Sequence, residues 1–194
     1  MFNKSKTFEY TITGDDMNLK KIKIIGVIVI FLLTVLFHFL YDWFPNVIFS
    51  IFLPVNESIW EHMKLLYTGI IVWGLIEYFI FKKKDIKVNN FWYQLFLTAF
   101  TSIPLYLIIY LPIYSLVGEN IVINIALLIL VIILEQVFSY YLLKDKNKIE
   151  LLNKVSVVLL ILGYVVFTVL TYNPPKNYLF YDTQDNVYGI NEKE

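Results

Sequence analysis

Five long apolar stretches constrain the fold of this chain more than any other feature of its sequence. They cover residues 22–41, 59–81, 91–114, 121–143 and 155–172. Each is close to the roughly 20 residues that an α-helix needs to cross about 30 Å of hydrocarbon. Because lipid offers no hydrogen-bond partner to the backbone, each stretch should be helical. The sequence therefore predicts an all-α fold, a polytopic membrane bundle of five transmembrane helices.

A sixth apolar piece, residues 47–53, is too short to cross a membrane and is ended by Pro54. We expect it to form a short interfacial or re-entrant segment before the second transmembrane helix. The composition agrees with a membrane protein, since 58% of the residues are hydrophobic and 16% are charged. Soluble domains are about half apolar and about one quarter charged.

The charged and sulfur-containing residues exclude several kinds of function. Cysteine is absent, which excludes disulfides, thiolate metal sites and cysteine nucleophiles. Every basic residue is a lysine and the net charge is zero, so nothing indicates a nucleic-acid partner. The expected partner is the lipid bilayer, and the sequence specifies neither a small-molecule ligand nor an oligomeric state.

The lysines predict the orientation, because positively charged residues accumulate on the cytoplasmic side of a membrane. With five crossings, only three lysines fall on the other side, namely Lys64, Lys176 and Lys193. Thirteen fall on one side: Lys4, Lys6, Lys20, Lys21, Lys23, Lys82, Lys83, Lys84, Lys87, Lys144, Lys146, Lys148 and Lys154. We therefore expect a multi-pass protein of a bacterial cytoplasmic membrane, with the N-terminus in the cytoplasm and the C-terminus outside.

This topology divides the chain into three parts. Residues 1–20 form a cytoplasmic N-terminal extension, disordered at its beginning, and the run "MNLKKIKIIGVIVIFLL" makes Met17 an alternative start. Residues 21–172 form the five-helix domain, and residues 173–194 form an extracytoplasmic tail. The tail is rich in aromatic residues, so it should lie on the membrane interface or fold back as a lid over the outer polar residues. Deleting residues 174–194 would test the lid.

Polar residues are concentrated in the stretch "LPVNESIWEHMK", at the expected outer start of the second transmembrane helix. Ser58 and Glu61 have the spacing of a capping box, in which each side chain bonds the other residue's backbone N–H. Asn56 is an alternative N-cap. Glu57, Glu61 and Lys64 should share one helix face and pair. One interpretation is therefore a well-capped helix end with an interfacial ion cluster.

Capping does not account for the two histidines. His38 lies 16 residues beyond Ile22, roughly 24 Å along a helix, which places it at a depth similar to that of His62. Asp42 follows one turn later on the same face. His38, Asp42 and His62 are suitable ligands for a divalent metal such as Zn²⁺. Alternatively, a carboxylate tunes His62 for acid–base work. The candidate catalytic residues are His62, Glu61, Glu57 and Lys64.

A second group of polar residues lies toward the cytoplasmic side. Glu77 falls near the inner surface beside Lys82–Lys84, which favours an interfacial ion pair. Glu135 lies roughly 13 Å inside the fourth span, and at that depth a carboxyl must be protonated or paired. Glu77 is a possible partner. Glu135 therefore serves either as a proton relay or as a helix–helix hydrogen-bonding group, and we favour the second.

The third span carries a stripe of polar residues at four-residue spacing, which lines up side chains on one helix face. Its members are Thr98, Ser102, Tyr106, Tyr110 and Tyr114. The stripe runs toward the outer polar residues, so it either lines a cavity or serves as a tyrosine belt and packing surface.

The run Pro54-Val55-Asn56-Glu57-Ser58, followed by Trp60-Glu61-His62 and Lys64, resembles an uncharacterised family of small bacterial integral membrane proteins. That family is marked by a PVNES-x-WEH-x-K stretch and resembles this chain over most of its length. The resemblance extends to His38 and Asp42, and to a proline-containing tail ending near Tyr188-Gly189-Ile190. It implies that these residues belong together, and it implies no activity, substrate or cofactor.

Three classes of function agree with these features. The first is a membrane-embedded enzyme that acts at the outer face on a lipid or lipid-linked substrate. The second is a transporter of a small solute, a cation or protons, with Glu135 as its inner site. The third is a structural or accessory subunit without catalytic activity. The concentration of polar residues on one side of the bilayer favours the first, and whether the protein is an enzyme stays open.

Overall fold

The computed structural model describes residues 14–145 and 147–190, and its architecture is all-α, as the sequence predicted. The helices are α1 Gly14–Trp43, α2 Val47–Phe52, α3 Ile59–Lys84, α4 Phe91–Val117, α5 Ile121–Lys144 and α6 Glu150–Tyr172. Two short strands follow, β1 Tyr181–Asp182 and β2 Val187–Tyr188. The expected disorder at the start of the N-terminal extension concerns residues outside the described part, whereas residues 14–20 belong to α1.

Five of these helices are long and apolar enough to cross a membrane: α1, α3, α4, α5 and α6. The remaining helix, α2, has six residues and begins at the N-cap Asn46, whose side chain accepts a hydrogen bond from the Phe49 N–H. This short helix occupies the segment that the sequence predicted to be too short to cross.

The helix α3 lies at the centre of the bundle. Most of its apolar part is buried, whereas less than a third of the apolar part of α1, α4, α5 and α6 is buried. It packs against α1 and α4, and α5 packs against both α1 and α4. The exposed side chains of the outer helices are largely Ile, Leu, Val and Phe, a surface suited to contact with lipid.

Glycines let α1 and α3 approach each other closely. A Cβ atom at Gly69 of α3 would lie 3.1 Å from Thr34 Cγ2 of α1. A Cβ atom at Gly26 of α1 would lie 2.6 Å from Trp73 Nε1 of α3. Small residues at such crossings allow helices to pack backbone against backbone. The close packing brings the end of α1 beside the start of α3, which we call the histidine end; the opposite end, where α1 begins and α3 ends, we call the lysine end.

The tail folds back over the histidine end. The strands β1 and β2 form an antiparallel hairpin in which Tyr181 pairs with Tyr188. The Trp60 N–H at the start of α3 donates to Leu179 O, and the Ile190 N–H donates to Thr171 O of α6. The hairpin is therefore attached to both α3 and α6, within the part of the tail that the structure describes.

Candidate functional site

The start of α3 is built around a serine cap. Ser58 is the N-cap, and its hydroxyl accepts a hydrogen bond from the Glu61 N–H at 3.3 Å. The capping box also predicts that the Glu61 side chain accepts a hydrogen bond from the Ser58 N–H. In the structure that N–H donates to Asn56 Oδ1 instead, at 2.9 Å. The Asn56 side chain also donates to Gly189 O at 2.8 Å. Asn56 thus connects the cap of α3 to the tail.

Glu61 and Lys64 form a buried ion pair on the side of α3 that faces α2 and α6. Their charged atoms are 2.7 Å apart, and the side chains are 2% and 0% exposed. The second Glu61 oxygen accepts a hydrogen bond from the Thr171 hydroxyl at 2.7 Å, and the Val55 N–H donates to the first. Lys64 also donates to the carbonyls of Ser50 and Leu53. Both charges are fully partnered, so these two candidate catalytic residues hold α2, α3 and α6 together.

Glu57 does not share a face with Glu61 and Lys64, contrary to the expectation from helical spacing. It precedes the N-cap Ser58, so its position is set by the linker and not by the helix. Its backbone N–H donates to Asp182 Oδ2 of the tail at 2.9 Å. Its side chain turns toward α1 and the first turn of α3, where the two histidines lie.

The two histidines, which the sequence placed at similar depth without indicating whether they meet, lie side by side. Their ring centroids are 5.2 Å apart, with the ring planes inclined by 31°. Glu57 lies against both rings: Oε2 is 3.4 Å from His62 Nε2, and Oε1 is 3.8 Å from His38 Nε2. We call His38, Glu57 and His62 the histidine–glutamate cluster.

The orientation of His62 is fixed by the backbone. Its Nδ1 lies 2.9 Å from Ser58 O, and since a carbonyl oxygen only accepts, Nδ1 carries the hydrogen. Nε2 faces Glu57: it carries a lone pair in the neutral ring, and in the imidazolium it carries a hydrogen that it donates to the Glu57 carboxylate. The hydrogen bond to His62, reinforced by the electrostatic attraction of His62 and His38, holds the pKa of Glu57 below its ordinary value. Glu57 is therefore a carboxylate at neutral pH.

The cluster lies at the polar end of a cavity of about 530 Å³ between α1, α3, α4 and α5. Apolar side chains line the deeper part, namely Phe31, Val35, Leu65, Leu66 and Leu128. Further polar side chains line it as well: Asp42, Tyr106, Tyr110, Glu119, Asn124 and Gln184 of the hairpin. Two tyrosines of the predicted α4 stripe thus line a cavity. Among the described residues that surround it, none is a lysine.

The candidate metal ligands are rearranged relative to the sequence prediction. Ligand atoms of His38, Glu57 and His62 all lie within 4.8 Å of one another. Asp42 is exposed and lines the same cavity, but it is not part of this cluster. The carboxylate beside the two imidazoles therefore comes from the linker before α3 and not from α1.

Comparison with protein families shows that the model of a family of unknown function, DUF6512, matches residues 13–190. The chain belongs to this family. No curated protein and no solved structure matches it. The matched range contains the whole DUF6512 bundle described above, together with the histidine–glutamate cluster and the tail, and the family description names no activity.

The polar residues at the lysine end of this DUF6512 chain form separate contacts. Lys23 Nζ of α1 lies 2.5 Å from Glu77 Oε1 of α3 and 2.5 Å from Ser139 Oγ of α5. The Thr101 hydroxyl of α4 lies 3.0 Å from Glu135 Oε1 of α5. Glu77 is thus paired with Lys23, not with Lys82–Lys84 or with Glu135 as expected from the sequence. Neither glutamate lines the cavity.

Three residues with buried polar contacts were missed by the sequence reasoning, one at the lysine end and two at the histidine end. Lys23 was counted with the flanking lysines, although its position inside an apolar run signals a buried partner. Asp182 is fully buried and binds the backbone of Glu57, and Thr171 binds Glu61. Neither has a sequence signal, because both act through contacts between segments that are more than a hundred residues apart.

Proposed function

We propose that the protein is a membrane-embedded enzyme that acts at its histidine end on a lipid or lipid-linked substrate. The observation that carries the proposal is the two-part cavity, which has an apolar wall and the histidine–glutamate cluster at its polar end. Such a cavity fits an amphipathic molecule, with its chain against Phe31, Leu66 and Leu128 and its polar group against the cluster.

The cluster supplies groups that exchange protons near neutral pH. The His62 Nε2 lone pair takes a proton from the substrate or from a water molecule, and the Glu57 carboxylate stabilises the imidazolium that results. The hydrogen bond from His62 Nδ1 to Ser58 O keeps the ring in place during this transfer. His38, on the other side of Glu57, contributes a second imidazole.

The surrounding charges restrict the polar group of the substrate. Asp42, Glu57 and Glu119 line the cavity, and no described lining residue is a lysine. In a site of low dielectric constant these carboxylates repel a bare anionic group. We therefore expect a neutral or cationic polar group, or an anionic group that is accompanied by a cation.

Turnover of lipids by the purified protein tests the proposal. Membrane lipid extract is incubated with the protein in detergent, and mass spectrometry compares the species before and after. We expect one lipid class to be consumed by the native protein and to persist with His62→Ala. Val35→Trp places a larger side chain in the lining of the cavity and should also abolish turnover. The control Val165→Trp, on the exposed face of α6, should leave turnover unchanged. Equal lipid profiles with and without the native protein would contradict the proposed enzyme activity.

The proposed orientation places the histidine end on the extracytoplasmic face, as the distribution of lysines supports. The chain has no cysteine, so single cysteines report position directly. Gln184 and Lys148 are both exposed, at the histidine end and in the loop between α5 and α6, respectively. In intact cells, a membrane-impermeant maleimide should label Gln184→Cys and should label Lys148→Cys only after permeabilisation. The reverse pattern would place the cluster in the cytoplasm.

A further inference from the structure

The donor atoms of the histidine–glutamate cluster lie close enough together for small side-chain movements to place them around one metal ion. Zn²⁺ binds imidazole nitrogen and carboxylate oxygen at about 2.0–2.2 Å, so that neighbouring ligands of a tetrahedral ion are about 3.4 Å apart. The two contacts of Glu57 measure 3.4 Å to His62 and 3.8 Å to His38. These contacts involve the two different oxygens of Glu57, and the ligand atoms of the three residues all lie within 4.8 Å of one another. Side-chain movements of up to about 1.4 Å would therefore complete the geometry.

We propose that His38 Nε2, His62 Nε2 and one Glu57 oxygen bind a single divalent transition-metal ion, with Zn²⁺ as the expected occupant. The binding itself is independent of the function proposed above; a part for the ion in catalysis rests on that function. With the ion bound, the Nε2 lone pair of His62 is occupied, so a water activated by the ion would take the place of His62 as the base. The ligand set differs from the one expected from sequence, since Glu57 replaces Asp42 as the carboxylate.

The surroundings of two ligands support this assignment. Histidine ligands of metals usually donate their second ring N–H to a carbonyl or carboxylate, which fixes the tautomer. His62 does so, with Nδ1 2.9 Å from Ser58 O. The backbone of Glu57 is held in place, because its N–H donates a hydrogen bond to the buried carboxylate of Asp182. Two of the three donor groups are thus positioned before any ion arrives.

The number of ligands indicates the kind of site. Structural zinc sites use four protein ligands, whereas catalytic zinc sites use three and leave one position for water or substrate. This cluster offers three, and it faces the cavity. The open position would therefore point toward the space in which we place the substrate.

The charges of the cavity also favour a cation. The lining carboxylates Asp42, Glu57 and Glu119 are accompanied by no described lysine, so a divalent ion would neutralise charge that no other described lining residue balances. Two imidazoles select a transition metal over Ca²⁺ or Mg²⁺, which prefer ligand sets made of oxygens.

Metal titration of the full-length protein in detergent tests the site. After treatment with a chelator, Zn²⁺ is added and the bound metal is quantified by elemental mass spectrometry once free ions are removed. We expect one ion per chain, with no comparable retention of Ca²⁺ or Mg²⁺. His38→Ala, His62→Ala and Glu57→Gln should each weaken binding at least as much as loss of a supporting group, which costs about 10–100-fold. Asp42→Asn, the matched control on the same cavity wall, should retain the ion.

A second measurement uses only the native protein, so its result does not depend on whether the variants fold. Co²⁺ bound to the native protein should give the visible absorption of a tetrahedral site, and an equivalent of Zn²⁺ should abolish it. Failure of the native protein to bind either ion at neutral pH overturns the proposal. Loss of binding in Asp42→Asn, with retention in Glu57→Gln, overturns the ligand set.

The results separate the metal site from the enzyme. Lipid turnover by protein that binds no metal would leave the proposed function standing and overturn the metal site. Stoichiometric Zn²⁺ without turnover of any lipid would establish the metal site and leave the proposed function without support.

Discussion

Two glutamates that lie four residues apart, Glu57 and Glu61, occupy opposite kinds of environment. The Glu61 side chain is 2% exposed and touches a lysine, a threonine hydroxyl and a backbone N–H. The Glu57 side chain is 34% exposed and touches two imidazoles beside a cavity. The first carboxylate has its charge balanced and its oxygens occupied. The Glu57 carboxylate can still bind a metal ion or a substrate group.

The contrast teaches that the polar stretch contains a structural half, Glu61 and Lys64, and a candidate functional half, Glu57 and His62. Residues after Ser58 follow the helix, so Glu61 and Lys64 point toward α2 and α6. Glu57 precedes the cap and follows the linker, so it points toward α1. Residue type alone does not distinguish these halves, since both contain a glutamate and a basic or imidazole partner. The difference is whether the charges and hydrogen-bonding atoms of the pair are fully partnered within the protein.

The largest effect on stability is expected from breaking the Glu61 environment. Glu61→Gln keeps the side-chain volume but leaves the Lys64 charge buried without a counterion, and loss of one partner of a buried ion pair costs about 3–5 kcal/mol. Reversible unfolding in mixed micelles measures the change in the free energy of unfolding. A loss below about 1 kcal/mol, the range of exposed ion pairs, would show that the pair is not buried in the working protein.

Removing the second charge should recover part of this loss. In the background of Glu61→Gln, Lys64→Met leaves no unpaired charge, and an apolar replacement of a buried pair is often neutral. We expect the double variant to be more stable than Glu61→Gln by about 2–3 kcal/mol, the upper range of coupling between residues in contact. Recovery is incomplete because the carbonyls of Ser50 and Leu53 lose their donor. Purely additive losses in the same unfolding assay would contradict the pairing.

The fold followed from the sequence because its signals are local. The five apolar runs and the break at Pro54 each predict an element without knowledge of its neighbours, and all of them appear in the structure. The similar depth of His38 and His62 could also be predicted, since the rise per residue converts chain position into depth, whereas the contact between them could not. Depth, however, says nothing about which side of a helix a residue faces relative to the other helices.

The polar contacts that escaped prediction, at both ends of the bundle, depend on such lateral positions. Lys23 was expected to flank the bundle, yet it is buried between Glu77 and Ser139. Asp182 and Thr171 lie more than a hundred residues from their partners Glu57 and Glu61. The exchange of Asp42 for Glu57 in the cluster arises in the same way, because the linker before α3 has no periodicity from which its direction could be read.

A smaller loss of stability is expected from Thr171, the contact between Glu61 and α6. Thr171→Val removes the hydroxyl that donates to Glu61 at 2.7 Å while preserving the side-chain shape. Hydrogen bonds to charged groups contribute about 1.5–3 kcal/mol, and we expect about 1.5 kcal/mol because Lys64 and the Val55 N–H remain. The unfolding assay measures this loss, with Thr168→Val as a control, since that hydroxyl bonds only its own helix at Tyr164 O. An equal loss of unfolding free energy in both variants would show that the contact between Thr171 and Glu61 contributes no more than a hydrogen bond within a helix.

The smallest effect on stability, less than about 1 kcal/mol, is expected from Glu57→Gln, because partly exposed ion pairs contribute little to folding. Glutamine preserves the side-chain volume and leaves the backbone N–H bound to Asp182. It removes the negative charge between the two imidazoles, so Zn²⁺ binding and lipid turnover should fall sharply while unfolding is almost unchanged. Glu61→Gln should show the opposite pattern, with reduced stability and with Zn²⁺ still bound by whatever fraction remains folded. If Glu57→Gln proves as destabilising as Glu61→Gln, Glu57 is a structural residue too, and the polar stretch has no functional half.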